Sequence, residues 1–171
     1  MYYRSNDNGE RRLFGTLDIA QMPQAVALIN GSAEYSQISG TVKFYQERRG
    51  VLVVADILGL PLSPGECKNG IFAFHIHGGA SCTGDGEDSF ADAGTHYNPH
   101  NCPHPYHAGD MPPLFSAQGQ AFLAFLSDRF TVNEIVGKTV VIHGDVDDFT
   151  SQPSGNAGKK IACGIISGVR R

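Results

Sequence analysis

The sequence lacks several features that mark common classes of protein. It contains no tryptophan, only 18% of its residues are charged, and its basic residues are scattered while the net charge is −4. We therefore expect no nucleic-acid partner, because nucleic-acid binding requires a concentrated basic surface. No apolar run approaches the length of a bilayer-spanning helix, so we expect no membrane partner either.

Closely spaced cysteine pairs and a recognisable leader are also missing. The four cysteines form no C-x-x-C pair, which argues against a thiolate zinc site and leaves disulfides or free buried thiols. The start, MYYRSNDNGERRLFG, has no continuous apolar stretch of the kind found in secretory signals. If the chain is complete, we expect a cytoplasmic protein. If a leader has been removed, we expect a secreted or periplasmic one.

Short apolar stretches recur between turn-forming residues. They are AVALIN, ISGTVKFYQ, VLVVADILGL, IFAFHIH, QAFLAFLS, KTVVIHG and KKIACGIISG, in a chain with 21 glycines and 9 prolines. No segment has a sustained helical period. The pattern predicts an all-β antiparallel sandwich or barrel of about eight strands over residues 23–171, preceded by an extension over residues 1–22. Two long stretches without strand character, 78–116 and 144–160, are expected either to carry function or to be tied down by other contacts.

Histidine is confined to one half of the chain, since none of the seven precedes His75 or follows His143. In IFAFHIH, strand alternation places both histidines on one face and the phenylalanines on the other. TVVIH repeats the arrangement and directs His143 away from the apolar face. Two such strands would present three imidazoles on one side of a sheet, which suits a metal ion.

A second set of candidate ligands lies in the glycine- and proline-rich loop, at His96, His104, His107 and Asp110. Three imidazoles and a carboxylate can form a four-coordinate zinc site, whereas nitrogen-only coordination suits copper. A polar loop that is rich in histidine by chance is the alternative, and we interpret His100 as an ordinary loop histidine. Spacing alone leaves two metals, or one metal with spare histidines, as the options.

Five motifs in sequence order resemble those of the copper,zinc superoxide dismutase family. They are H-I-H at 75–77, G-T-H-Y-N-P at 94–99, H-A-G-D at 107–110, V-I-H-G-D-V-D-D at 141–148 and G-N-A-G-K-K-I-A-C-G at 155–164. The resemblance implies a Greek-key β-barrel with two long functional loops. It also implies an enzyme that converts superoxide to dioxygen and hydrogen peroxide by alternating reduction and reoxidation of copper, with zinc in a structural role.

The resemblance further implies a ligand set for each metal. The copper ligands would be His75, His77, His96 and His143. The zinc ligands would be His96, His104, His107 and Asp110. His96 would therefore bridge both ions. It would also be catalytic, taking up a proton when copper is reduced and supplying one on reoxidation.

Residues outside these sets also have implied roles. Asp147 would hydrogen-bond one histidine of each metal site, and Cys82 and Cys163 would form a disulfide. Lys160 stands where eukaryotic family members have an arginine, and with Lys159 beside it would attract the superoxide anion. Compared with those members, the interval from Cys82 to His96 is longer, the stretch from His104 to His107 is shorter and the loop after His143 is trimmed. These departures and Lys160 leave the rate and the subunit contacts open.

Two other functions stay open at the level of sequence. One is a non-catalytic copper- and zinc-binding protein of the same fold. The other is a zinc hydrolase, which would leave the H-x-H strand and His143 without a role. Cys67 and Cys102 are either a second disulfide or free thiols, and a homodimer is one option for the assembly.

Overall fold

The structure, a computed structural model, describes residues 22–62 and 70–169. The strands in these ranges are β1 (Ala25–Gly31), β2 (Ser39–Glu47), β3 (Gly50–Leu58), β4 (Ile71–Phe72), β5 (Phe74–His77), β6 (Leu114–Phe115), β7 (Ala121–Ser127), β8 (Thr139–His143) and β9 (Lys160–Gly168). Helical structure within them is limited to one turn of α-helix, α1 (Val132–Ile135), and 3-10 turns at Ala33–Tyr35 and Ala91–Ala93. The all-β prediction is confirmed. Within the described ranges, no helix has the length and apolar character to cross a bilayer.

Seven of the strands form one antiparallel sheet in the order β5-β8-β9-β1-β2-β3-β7, and β4 pairs separately with β6. β3 lies beside β7, and β5 lies beside β8, although each pair is far apart in the chain. The connections between them pass across the fold, as in Greek-key sandwiches and barrels. The segment that joins β5 to β6 is the long loop that carries most of the histidines.

The core follows the period-2 alternation of the strands. In β2 and β3 the side chains of Val42, Phe44, Val51 and Val53 are fully buried, while Lys43 between them is exposed. Each such aliphatic or aromatic side chain contributes about 1.5–3 kcal/mol when it leaves water. The apolar inner face therefore fixes the register of the sheet and gives a rigid base for the histidine-bearing strands.

The predicted strand IFAFHIH is divided in two at Ala73. There the backbone N–H of Ala73 donates to the carbonyl of Asp145, and its carbonyl accepts from the N–H of His143, both at 2.9 Å. This break, together with short β6 inside the predicted loop, gives nine strands over residues 22–62 and 70–169, where about eight were predicted for the domain. The alternation holds across the break, because the two phenylalanines and Ile76 join the core.

The loop over residues 78–116 is attached to the free edge of β5. Ile76 donates its N–H to Gly109 O at 2.9 Å and accepts from Tyr97 N at 2.8 Å, while Gly78 donates to Thr95 O at 2.8 Å. The loop thereby satisfies backbone groups that an edge strand would otherwise expose. It also carries its histidines alongside those of β5.

A disulfide fixes the other side of the same loop. Cys82 is bonded to Cys163 of β9, with 5.7 Å between their Cα atoms. This is the pairing that the family resemblance implies. Cys102 is a free thiol. Cys67 and the predicted extension, apart from Met22, lie outside the described residues.

Candidate metal centre

Two groups of ligand-bearing side chains lie side by side in the described part of the chain, and in each the ligand atoms are within 4.8 Å of one another. We call the first the strand cluster: His75, His77, His96 and His143. We call the second the loop cluster: His96, His104, His107 and Asp110. All of these residues are buried, and His96 belongs to both clusters.

Backbone carbonyls orient two rings of the strand cluster. The Nδ1 atom of His77 donates to the carbonyl of Gly94 at 2.8 Å, and that of His143 donates to the carbonyl of Gly158 at 3.2 Å. In the neutral rings, both Nε2 atoms therefore carry lone pairs, and they face each other at 3.2 Å. Two lone pairs directed at one point repel unless a cation lies between them, so the arrangement suits a metal ion.

The pKa values of these rings favour the neutral, ligating form. Burial, followed by the charge of His143, lowers the pKa of His77 to about 2. Burial, followed by the charge of His75, lowers the pKa of His143 to about 3. Both imidazoles are therefore unprotonated at neutral pH, as a metal ligand must be.

Asp147 connects the two clusters. Its Oδ2 accepts from His75 Nε2, and its Oδ1 accepts from His104 Nε2, each at 2.9 Å. Burial alone would raise the pKa of Asp147, but the hydrogen bonds from His75, the Phe149 N–H and His104 outweigh it and lower this pKa to about 2. The ionised carboxylate fixes which ring nitrogen each histidine turns toward its cluster.

Gly155 provides the space in which this carboxylate lies. A Cβ atom at position 155 would be 1.9 Å from Oδ1 of Asp147 and 2.8 Å from Nε2 of His104. The backbone there is also left-handed, with φ of +69°. A residue other than glycine would displace the bridge between the clusters.

The loop cluster is organised around Asp110. Its Oδ1 accepts from His96 Nδ1 at 2.7 Å, and its Oδ2 accepts the backbone N–H of His107 at 3.0 Å across the H-A-G-D turn. The same oxygen is 3.1 Å from His104 Nδ1 and 3.3 Å from His107 Nδ1. Burial would raise the pKa of Asp110, but the His96 hydrogen bond and the nearby histidines lower it. Three nitrogens and an ionised carboxylate thus converge.

Unpartnered atoms show that both clusters fit a metal. Among the described residues, three buried ring nitrogens have no hydrogen-bond partner: His75 Nδ1, His96 Nε2 and His104 Nδ1. His104 Nδ1 is close to Asp110 but makes no hydrogen bond with it, since the N–H of this ring is the Nε2–H given to Asp147. Each such atom costs about 1–3 kcal/mol when left unsatisfied. His96 directs Nδ1 toward Asp110, so its free Nε2 is the atom available to the strand cluster. A metal ion in each cluster would satisfy all three nitrogens.

Two residues that support the loop cluster were not predicted. The Gln152 side chain accepts from the His104 N–H at 3.0 Å and donates to the His104 carbonyl at 2.7 Å. Arg129 donates from Nη1 to the carbonyls of Pro105 at 3.0 Å, His107 at 3.3 Å and Asp110 at 3.3 Å. Neither carries a motif, and each acts across a long sequence separation, so no sequence signal pointed to them.

A cleft leads from the surface to both clusters. Its lining includes His77, His96, His107 and His143, together with the charged residues Glu34, Glu87, Asp88, Lys159 and Lys160. Lys160 is mostly buried, and its ammonium group donates to Oδ2 of Asp88. The structure therefore brings Lys160 to the mouth, and it pairs this lysine with a carboxylate that was not predicted. His100 is exposed and belongs to neither cluster.

Comparison with known proteins gives consistent matches. Residues 38–166 match the family described as copper/zinc superoxide dismutase. The chain is 34% identical over 154 aligned residues to superoxide dismutase [Cu-Zn] 2 of Aquifex aeolicus, covering 81% of this chain and 83% of that protein. It is 36% identical over 163 aligned residues to superoxide dismutase [Cu-Zn] of Schizosaccharomyces pombe, covering 85% and 97%. The structure of the Cu/Zn superoxide dismutase from Brucella abortus shares the fold, with a TM-score of 0.69 at 23% identity over 84% of this chain and 99% of that chain.

Proposed function

The chain belongs to the copper/zinc superoxide dismutase family, and from this premise we infer what the individual residues of its metal centre do. The protein is a superoxide dismutase, an oxidoreductase that uses copper and zinc to convert superoxide to dioxygen and hydrogen peroxide. Bound copper supplies the one-electron exchange with superoxide, while zinc has no redox chemistry of its own. The remaining chemistry depends on how the chain holds these ions and handles anions and protons.

We assign the strand cluster to copper and the loop cluster to zinc. The strand cluster offers imidazole nitrogens alone, a donor set that suits copper. The loop cluster adds the Asp110 carboxylate, which gives the mixed set common in zinc sites. The observation that carries this assignment is that one ring, His96, has one nitrogen directed at Asp110 and the other buried without a partner.

His96 is the proposed catalytic residue of the chain. Forming hydrogen peroxide consumes protons, and His96 Nε2 is a nitrogen at the cleft that can hold one when no other partner engages it. Because Nδ1 is turned toward Asp110 and the loop cluster, the ring would stay in place while Nε2 gains or loses the proton. Asp147 has a positioning role, because it fixes the rings of His75 and His104.

Lys160 is the proposed site of anion attraction. The protein carries a net charge of −4, so superoxide is repelled at long range and needs a local cation at the mouth. Lys160 lines the cleft, with Lys159 next to it. Attraction of this kind weakens as ionic strength rises.

The domain limits and the assembly are also proposals. The match over residues 38–166 supports one domain over residues 23–171, with residues 1–22 as an extension.

Phe122 and Leu126 are 67% and 49% exposed on β7, an edge strand of the main sheet, and a second copy of the chain would cover them in a homodimer. Sedimentation of the wild-type protein as a monomer would contradict the dimer.

Replacement of the shared ring tests the proposed site. We expect His96→Ala to lower the affinity for both metals and to reduce the superoxide rate by at least about 100-fold, since it removes a ligand from each cluster. The measurement is copper and zinc per chain together with the rate, after loading with both ions. His100→Ala is the matched control, because it removes an exposed histidine from the same loop. Retention of both ions and full activity by His96→Ala would refute the assignment.

A further inference from the structure

The cation proposed to attract superoxide is already paired. The ammonium group of Lys160 donates to Oδ2 of Asp88. The side chain of Lys160 is 15% exposed and that of Asp88 is 38% exposed, and both residues line the cleft above the clusters. The carboxylate therefore occupies the position that an incoming anion would take on this lysine.

Asp88 is held firmly in that position. Its Oδ1 accepts the N–H of Phe90 at 3.0 Å, and its own N–H donates to Oδ1 of Asp85 at 2.9 Å. Its carbonyl accepts from the N–H groups of Asp85 at 3.0 Å and Ala91 at 3.1 Å. Since both backbone and side chain are fixed by the turn, the carboxylate does not depend on Lys160 for its position.

The surrounding fold also holds the turn that carries Asp88 next to Lys160. The Cys82–Cys163 disulfide joins the chain just before this turn to β9, at a position three residues beyond Lys160. In the sheet, Lys160 is the register partner of His143, a member of the strand cluster. The ion pair thus lies at the entrance to the proposed copper ligands.

The charged side chains that line the cleft do not leave a cationic surplus in the described part of the chain. They are three carboxylates, Glu34, Glu87 and Asp88, and two ammonium groups, Lys159 and Lys160. An ammonium group in contact with a carboxylate acts at a distance as a dipole, whose field falls off faster than that of a free charge. The field of Lys160 is therefore weakened where superoxide approaches.

We propose that Asp88 is a positioning residue that occupies the anion site of Lys160 and thereby restrains the entry of superoxide and other small anions. This inference rests on the proposed role of Lys160. An anion that reaches the cleft competes with a fixed carboxylate for the same ammonium group. Removing the charge of Asp88 frees the lysine for the anion.

Asp88→Asn tests the proposal against Glu87→Gln as a matched control. Each variant removes one negative charge from the same cleft, but only the first breaks the ion pair. The probe is azide, titrated at low ionic strength into the copper- and zinc-loaded enzyme and followed by visible absorption. We expect Asp88→Asn to tighten azide binding about threefold more than Glu87→Gln, the size expected for loss of a partly exposed pair. We also expect a higher kcat/KM for superoxide, with a steeper decline as salt is added.

Lys160→Ala separates failure of this inference from failure of the proposed function. If Lys160→Ala changes neither azide affinity nor rate at low salt, the role of Lys160 is wrong and that of Asp88 falls with it. If Lys160→Ala lowers both the azide affinity and the rate, but Asp88→Asn tightens azide binding no more than Glu87→Gln does, only the inference about Asp88 is overturned. When Lys160 has already been replaced by alanine, Asp88→Asn should increase the azide affinity no more than Glu87→Gln does.

The asparagine variant is designed to preserve the turn. Its side-chain oxygen can still accept the N–H of Phe90, which the aspartate accepts at 3.0 Å. Metal content and circular dichroism check the fold. Should asparagine disturb it, Asp88→Ser retains an acceptor oxygen without charge and gives the same comparison with Glu87→Gln.

Discussion

The strand cluster and the loop cluster are adjacent and share His96, yet the chain builds them in different ways. Three members of the strand cluster lie on β5 and β8, which pair in register from Phe74↔Ile142 to His77↔Thr139. The members of the loop cluster lie between residues 96 and 110, outside the strands, where isolated bridges pair His96 with His77 and Asp110 with His75 in place of a continuous ladder. Ligands on paired strands are preorganised by the sheet, whereas ligands on a loop need support from elsewhere.

That support is visible in the contacts of the loop. Gln152 binds the backbone of His104, Arg129 binds three carbonyls, and Asp147 reaches across from the second long loop. The strand cluster uses the carbonyls of Gly94 and Gly158 to set two ring orientations, and it shares Asp147, which also binds His75. We therefore expect the loop cluster to be more sensitive to distant substitutions. The lowered pKa values of His77 and His143 make the strand cluster sensitive to acid.

Acid is expected to have the largest effect, and to act on the metal-free protein through the strand cluster. In the folded chain the pKa of His77 is about 2 and that of His143 about 3, below the ordinary value of 6.5. Below pH 6.5 the unfolded chain therefore binds protons that the folded chain excludes. The contribution of these two neutral rings to the free energy of unfolding is fully present above pH 6.5. It is lost as the pH falls toward the pKa values that the rings have in the folded chain. Between pH 7 and 5 the free energy of unfolding should fall by about 2 kcal/mol for each histidine.

Urea unfolding of the metal-free, disulfide-intact protein at the two pH values measures this loss. His143→Gln should reduce the loss by about 2 kcal/mol, because one titrating group is gone. His100→Gln, which changes an exposed histidine, should leave it as in wild type. An unchanged pH dependence in His143→Gln would contradict the prediction.

Gly155→Ala should weaken both clusters together. A Cβ atom there would lie 1.9 Å from Oδ1 of Asp147, the carboxylate that orients a histidine of each cluster. We expect the affinities for copper and zinc each to fall by about 10–100-fold, the usual effect of losing such a contact. Competition with chelators of known affinity measures both values.

Gly137→Ala is the control for backbone strain in that experiment. Gly137 also has a left-handed φ, of +87°, but a Cβ atom there would meet nothing within 4 Å. The Gly137→Ala variant should have a lower free energy of unfolding but unchanged affinities for copper and zinc. If the two alanine variants bind metal equally well, the clash with Asp147 is not what matters at position 155.

Arg129→Ala is expected to have the smallest effect and to separate the clusters. It removes the three hydrogen bonds to the loop carbonyls, so zinc affinity should fall by about tenfold while copper affinity changes little. Arg129→Lys should recover only part of the loss, because one ammonium group lacks the planar fork of arginine. Arg48→Ala, at an exposed arginine next to the end of β2, is the control. Equal losses of both metals in Arg129→Ala would count against the separation.

Much of the fold could be predicted because it depends on local periodicity. The alternation in IFAFHIH determines that its phenylalanines join the core while His75 and His77 face away from it. The break at Ala73 was not predictable, since it arises from hydrogen bonds to Asp145 and His143, far along the chain.

The sequence by itself determined the all-β class, the family and the candidate ligands, because strand period and motif spacing are local properties of the chain. Only the tertiary structure decided which groups support those ligands and which line their entrance. Gly155 beside Asp147, with Arg129 and Gln152 around the loop, belong to the first set, and Asp88 on Lys160 to the second. These contacts join residues up to 72 positions apart. Hydrogen bonds and ion pairs act over a few ångströms in space, so no pattern along the chain records them until folding brings their partners together.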